Sequence, residues 1–153
     1  MSEPLLIRPG AILFSCTFNS VRSPIAEGLT RLYFGREIYV ASAGVKLGEE
    51  LDPFGVAVMD EVGVDLTNHR PHTFEELEDA SFDLIVTLSP EAHHKALEFT
   101  RTLACDVLYW PTVDPTAVEG SRDRRLDAYR EVRDALSKRI KKLLDYKPMG
   151  QVP

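Results

Sequence analysis

Apolar positions follow two alternating patterns along this chain. Residues 11–15, 37–42, 83–88 and 106–110 are short apolar runs of strand length, rich in Ile, Val, Leu and Tyr. Between them hydrophobic positions recur every three or four residues. Ile25, Leu29, Leu32 and Tyr33 form one stripe in residues 24–34, and Phe54, Ala57, Val58 and Val62 another in residues 53–62. Residues 90–101 are a third helical candidate, and residues 121–145 repeat Leu126, Tyr129, Val132, Leu136, Ile140 and Leu143 at helical spacing. The charges between those last positions are the solvated face of the helix. Strands alternating with helices predict an α/β fold: a single three-layer domain with a four-stranded parallel sheet, helices on both faces, flavodoxin-like in plan. Ligands of such sheets bind at the carboxyl ends of the strands. Residues 44–50, with two glycines and no period, are expected to form a loop on that edge, and 146–153 a loose tail.

Composition narrows the class. A length of 153 residues, 44% hydrophobic and 27% charged, suits one globular domain spanning 1–153 with no repeat or low-complexity tract. A net charge of −6 argues against nucleic-acid partners. No apolar run reaches membrane length and residues 1–8 are too short and mixed for a signal peptide, so a cytoplasmic protein without a membrane partner is expected. Two cysteines in such a compartment are expected to be free thiols, and the chain a monomer or weak dimer.

The chemistry concentrates after the first strand. Cys16 precedes Arg22 by six positions, in Cys16-Thr17-Phe18-Asn19-Ser20-Val21-Arg22-Ser23-Pro24, with a strand pattern before it and a helix pattern after it. Five intervening residues let the backbone curl around a tetrahedral oxyanion, so that the N–H groups of Thr17, Phe18, Asn19, Ser20, Val21 and Arg22 surround it and the helix adds its positive end. Arg22 supplies a planar fork that grips two oxygens. The same donors stabilise a thiolate, which makes Cys16 a nucleophile candidate. Asn19 tolerates the left-handed backbone such a loop needs, and Ser23 before Pro24 fits a helix N-cap.

At these residues the chain resembles the low-molecular-weight protein tyrosine phosphatase family, which includes the thioredoxin-dependent arsenate reductases. The resemblance extends to Ser42-Ala43-Gly44, to Val62-Gly63-Val64-Asp65-Leu66 with His69-Arg70, and to Asp114-Pro115. It implies the phosphotyrosine phosphatase I-like fold, a phosphocysteine intermediate on Cys16, phosphate held by the loop and Arg22, and Asp114 as general acid and then base. It also places Asn19, Ser23, Ser42 and His69 as loop support, with Ser23 on the thiolate and with His69 and Ser42 hydrogen-bonded to Asn19. The implied substrates are a phosphorylated protein or small phosphomonoester, with no cofactor.

Two Asp-Pro pairs compete for the acid. Asp52-Pro53 opens an apolar-periodic helix and reads as an N-cap. Asp114-Pro115 instead follows a strand on the edge that carries Cys16, with no clean helical stripe until after Gly120, and is the better acid candidate. Against the family pattern, Phe18 replaces a glycine, Val21 a cysteine, Ser89 a resolving cysteine, and Thr116 the aromatic residue after Asp-Pro. Phe18 either narrows the mouth or covers a neighbouring apolar patch. Cys105, at the start of a strand, is expected to be a core cysteine. That leaves arsenate reduction by an external thiol as an alternative activity and a non-catalytic phosphate or phosphoprotein binder as a third. His69, His72, His93 and His94 lack ligand spacing, so no metal is expected; apart from His69, they read as solvated or capping residues.

Overall fold

The computed structural model describes residues 7–48, 50–78 and 81–147. Its elements run β1 (Ala11–Cys16), α1 (Arg22–Phe34), β2 (Tyr39–Gly44), α2 (Pro53–Asp60), β3 (Leu84–Thr87), α3 (Pro90–Phe99), β4 (Asp106–Tyr109) and α4 (Arg122–Leu143). Short 3-10 turns at Phe74–Glu76 and Pro115–Ala117 lie between them. The four strands form a parallel sheet in the order β2-β1-β3-β4. This is the expected flavodoxin-like α/β plan.

Alternation along β1 separates the two faces. Ile12, Phe14 and Cys16 join the larger core with Ile25, Leu29, Tyr129, Val132 and Leu136 of α1 and α4. Leu13 faces the smaller core with Ile85, Phe74 and Ala96. Because β1 is buried on both sides it reads as a continuous apolar run, as parallel strands do.

Polar side chains begin three helices: Asp52 accepts from Phe54 N, Ser89 from Ala92 N and Ser121 from Arg124 N. The expected Ser23 cap of α1 is not there. The helix begins two residues earlier, at Arg22, with Ile25 N donating to the Val21 carbonyl, and Val21 makes no side-chain cap. Pro24 fits because first-turn amides have no intrahelical acceptor. The C-terminal end of α4 also differs from expectation. Tyr146 packs on the rings of Tyr33 and Phe34 at 5.1 and 5.6 Å, and residues 148–153 lie outside the described residues.

Between helices, Glu61 after α2 receives Arg130 at 2.7 Å and Arg133 at 2.7 Å, tying α2 to α4. Those hydrogen bonds, the Arg130 one first, hold the Glu61 carboxyl down at about 2. Among the described residues no helix is long and apolar enough to cross a membrane.

Candidate active site

β1 delivers Cys16 to the carboxyl edge of the sheet, where its Cα is level with Gly44 of β2. The loop of residues 17–21 then curls back against Gly44 so closely that a Cβ there would lie 2.8 Å from the Phe18 carbonyl carbon and 2.9 Å from Asn19 N. Only glycine fits. The Thr17 carbonyl accepts from both Val45 N and Lys46 N, at 2.8 and 3.0 Å, which pins the rim segment to the loop. Asn19 takes the left-handed conformation at φ 60°, as the loop required.

A saturated amide fixes the interior of the loop. Asn19 is fully buried, and its Nδ2 donates to Ser23 Oγ at 2.8 Å and to Ser42 Oγ at 2.9 Å. Its Oδ1 accepts from His72 N at 3.1 Å and faces His69 Nε2 at 3.1 Å. All four hydrogen-bonding valences of the amide are thereby used, which leaves one orientation for it. Consequences follow at both ends. Ser23 Oγ accepts from Asn19, which leaves its own proton available to Cys16 Sγ, 2.9 Å away. Ser23 N adds a second donor to the sulfur at 3.4 Å. At the other end Ser42 donates to Glu27, which also takes Arg31 at 2.6 Å. His69 donates from Nε2, so in the neutral ring Nδ1 is the acceptor nitrogen, 4.0 Å from Glu27. Burial pushes the His69 pKa below its ordinary value, outweighing the upward pull of Glu27, so the ring stays neutral. This network backs onto a cavity of about 640 Å³ lined by Glu27, Arg31, Ser42, His69 and Arg70; the thiol lies outside it.

Cys16 is 2% exposed. Val21 turns its side chain into the larger core, leaving its backbone to the loop. Phe18 is half-buried with its ring edge 4.0 Å from where a Cβ would stand on Gly48 of the rim segment. The Thr17 hydroxyl reaches Ser89 Oγ at 3.1 Å, which sets the start of α3 beside the loop.

The other wall comes from the β4 edge. Leu88 N donates to Ser15 O and Thr112 N to Leu88 O, stepping the chain across the carboxyl edge toward β1. Arg22 Nη1 donates to the Thr112 carbonyl at 3.0 Å, and Asp114 follows two residues later, exposed. Contrary to expectation Asp114 also caps a turn: Oδ1 accepts from Thr116 N at 3.0 Å and from Thr116 Oγ1 at 2.7 Å. A three-residue 3-10 turn has too few positions to show periodicity in sequence.

Sequence reasoning missed Glu27 and the tie between Tyr129 and Asp52. Tyr129 appeared only as a core position of α4; a buried phenol needs a polar partner, and that requirement was the available signal. Its hydroxyl donates to Asp52 Oδ2 at 2.6 Å, while Asp52 N donates to Ser20 O at 3.2 Å. Burial first, then the hydrogen bond and charge of Asp52, with a smaller push from Asp114, raise the Tyr129 phenol far above its ordinary range.

Both cysteines are free thiols. Asp106 is level with Leu84 and Leu84 with Ile12, so Cys105 sits five residues below Cys16 along the sheet and two strands away. That is about 16 Å along the strands plus two spacings of about 4.8 Å, beyond disulfide reach. Burial, then Asp106 and Asp83, push the Cys105 thiol up. Cys105 is half-buried beside the smaller core, near its expected place. Among the described residues no cluster of His, Cys, Asp or Glu is arranged to hold a metal. His93 is neither solvated nor a cap: it bonds Thr87 Oγ1 at 3.0 Å and stacks on Tyr109 at 4.6 Å.

Comparison with known proteins agrees with this geometry. The chain is 34% identical to an arsenate reductase of Halalkalibacterium halodurans over 130 residues, 85% of this chain and 91% of that protein. An arsenate reductase of Bacillus subtilis is 32% identical over 134 residues, covering 88% and 94%. Among solved structures, a YwlE mutant from Bacillus subtilis superposes with a TM-score of 0.73 at 26% identity, over 88% of this chain and 96% of that one. A Cys-to-Ser mutant of YwlE arginine phosphatase with a phosphorylated active-site serine gives 0.72 at 27% identity, over 88% and 93%. The Erwinia amylovora tyrosine phosphatase AmsI shares the fold at 0.74, over 95% and 97% of the two chains. The profile of the family described as low molecular weight phosphotyrosine protein phosphatase matches residues 11–151, and the chain belongs to that family of phosphatases and arsenate reductases.

Proposed function

We propose that the chain is a cytoplasmic, metal-independent phosphomonoester hydrolase working through a phosphocysteine. The Cys16 thiolate attacks phosphorus, forming a P–S bond as the P–O bond to the leaving group breaks. Asp114 delivers its proton to the departing oxygen. Arg22 and the loop amides of Thr17, Phe18, Asn19, Ser20 and Val21 hold the equatorial oxygens in both steps. Water then attacks phosphorus and gives a proton to Asp114, the P–S bond breaks, and the thiolate returns. The observation that carries this reading is the saturated Asn19 amide, which leaves the Ser23 proton available to Sγ and stabilises sulfur both as nucleophile and as leaving group.

A second reading is arsenate reduction, favoured by the relatives at 31–34% identity that are named arsenate reductase. Here Cys16 would displace an oxygen from arsenate, and an external thiol would attack the sulfur. The mixed disulfide takes the oxidation, arsenic leaves as arsenite, and a second thiol frees Cys16. The cysteine inventory weighs against an internal route. Cys105 is out of reach, and the α3 start beside Thr17 offers the hydroxyl of Ser89.

One paired assay separates the two. Wild type is expected to release phosphate from an aryl phosphate, and Cys16→Ser to release none while keeping its affinity for inorganic phosphate. Arsenite formation with a small thiol, in the absence of aryl phosphate hydrolysis, would overturn the hydrolase reading. Substantial turnover by the serine variant would remove Cys16 as nucleophile.

A further inference from the structure

Of the arginines of α4, Arg139 lies over the Trp110 ring at 5.7 Å, and the others divide into two sets. Arg130 and Arg133, in the middle of the helix, are held by Glu61, Asp127 and Asp134. Arg122, Arg124 and Arg125, in the first turn, are exposed, and none lies within 4.0 Å of a carboxylate among the described residues. Cations at that end oppose the helix dipole, so their number there is not explained by the stability of α4.

Two of them are nonetheless positioned. The Arg125 guanidinium lies 4.6 Å from the centre of the Phe54 ring and that of Arg122 lies 5.6 Å from it. A guanidinium held over a ring by cation–π attraction keeps N–H donors for another partner. Phe54 is tied to the phosphate loop. It follows Asp52, whose N–H bonds Ser20 O, and its ring packs edge-on against Tyr129, 5.4 Å between centroids. The Tyr129 hydroxyl bonds Asp52, and α4 packs against the 3-10 turn Pro115–Ala117 that Asp114 caps. The stacked arginines therefore sit on the wall shared by the phosphate loop and the Asp114 corner. Exposed apolar side chains flank the same edge: Leu47, 56% exposed, follows Lys46, which bonds the loop, and Val113, 73% exposed, precedes Asp114.

We infer that Arg122 and Arg125, stacked on Phe54, form a subsite for a second anionic group of the substrate, and that the substrate is a phosphorylated polypeptide with an acidic side chain beside its phosphoresidue. The inference rests on the hydrolase reading for the phosphate half of the site. The surface is open and flanked by Leu47 and Val113, which fits an extended peptide, and its charge is opposite to that of the chain as a whole, net −6. A pair of guanidiniums with no carboxylate partner among the described residues matches a carboxylate in charge and in donors.

The test measures binding to Cys16→Ala, which needs no turnover. Fluorescence anisotropy compares three labelled peptides: a phosphotyrosine peptide flanked by two Glu, the same with two Gln, and the unphosphorylated Glu peptide. The Glu phosphopeptide is expected to bind about three- to tenfold tighter than its Gln counterpart at low salt, as for exposed ion pairs. High salt should erase most of the advantage, and the R122E/R125E change should remove or invert it. Acidic residues in a first turn favour the helix, so folding of that variant is not the obstacle.

Equal affinity of the two phosphopeptides, or an advantage that survives R122E/R125E, overturns the subsite. Absence of binding by any peptide overturns it too. If phosphorylation adds nothing while the Glu advantage persists and depends on the arginines, the subsite stands and the phosphate reading fails. If phosphopeptides bind but Glu and Gln are equal, the reverse holds.

Discussion

Asp52 and Asp114 each precede a proline, each caps the turn that follows, and each stands beside the phosphate loop, yet only Asp52 has both carboxylate oxygens engaged. Its Oδ1 accepts from Phe54 N at 2.8 Å and its Oδ2 from the Tyr129 hydroxyl at 2.6 Å. Asp114 receives two donors on Oδ1, both from Thr116, and its Oδ2 takes none from any described residue. Asp114 is also exposed, whereas Asp52 is half-buried. An oxygen already holding a hydrogen bond from a phenol is poorly placed to exchange a proton with a substrate. A free oxygen on an exposed corner is well placed. The same dipeptide thus serves as a strut at Asp52 and leaves an open carboxylate oxygen at Asp114, and tertiary partners make the difference.

Exchanging the carboxylates for amides breaks the comparison most sharply. Asp114→Asn keeps an Oδ1 acceptor for Thr116 and removes only the transferable proton. Hydrolysis of aryl phosphates with poor leaving groups should fall by a factor on the order of 100 to 10,000, and one limb of the pH–rate profile should flatten. Asp52→Asn should leave kcat within a few-fold of wild type on the same substrates. The opposite pattern would exchange the two roles.

This distinction was half legible in sequence. The edge that carries Asp114 followed from strand periodicity, because β4 ends just before it and the carboxyl ends of parallel strands lie together. The phosphate loop was legible for a simpler reason: Cys16 to Pro24 are contiguous, so the chain itself sets their geometry. Apart from the contacts of His69 and Ser42 with Asn19, which the family resemblance implied, what was not legible was whatever needed distant segments to meet. Glu27 reads as an ordinary helix position until β2 brings Ser42 to it, and Tyr129 as a core residue until α2 presents Asp52. The Ser23 cap failed for a local reason, because the helix starts at Arg22 and places Ser23 inside its first turn. Its hydroxyl is used by Asn19 and Cys16, one of them reached only through the curl of the loop.

The second measurement concerns the strut. Tyr129→Phe deletes the phenol that satisfies Asp52 Oδ2 and keeps the ring packed on Phe54. Removing one partner of a part-buried, charge-assisted hydrogen bond should lower stability by about 1.5–3 kcal/mol. Asp52→Ala also loses the cap and should lower it by at least as much, with the cap alone contributing about 0.5–2 kcal/mol. Urea midpoints of the two variants and of Asp114→Ala check this. The Asp114 variant should be the mildest, since its donors are exposed and lie within one short turn. A greater loss at Asp114 than at Asp52 would make Asp114 the strut.

The smallest effect tests how far the rigid side extends. Asp52 supports the loop through Ser20, and one residue away Asn19 connects the loop to His69. Burial holds His69 neutral in the fold, with its pKa below the unfolded value of about 6.5. Below that pH the unfolded chain binds a proton that the folded chain refuses, so stability rises with pH over this window. The contribution is complete above about 6.5 and is lost as pH falls toward the folded pKa, at no more than about 1.4 kcal/mol per pH unit. His69→Gln keeps an amide donor for Asn19 and cannot titrate. Its stability at pH 8 should drop by about 0.5–1.5 kcal/mol, the usual range for one hydrogen bond, and its decline between pH 7 and pH 5 should be shallower than that of wild type. Urea midpoints at pH 8, 7, 6 and 5 read both quantities. Parallel declines would place the acid-sensitive element elsewhere and confine the rigid side of the loop to Asp52, Tyr129 and Ser20.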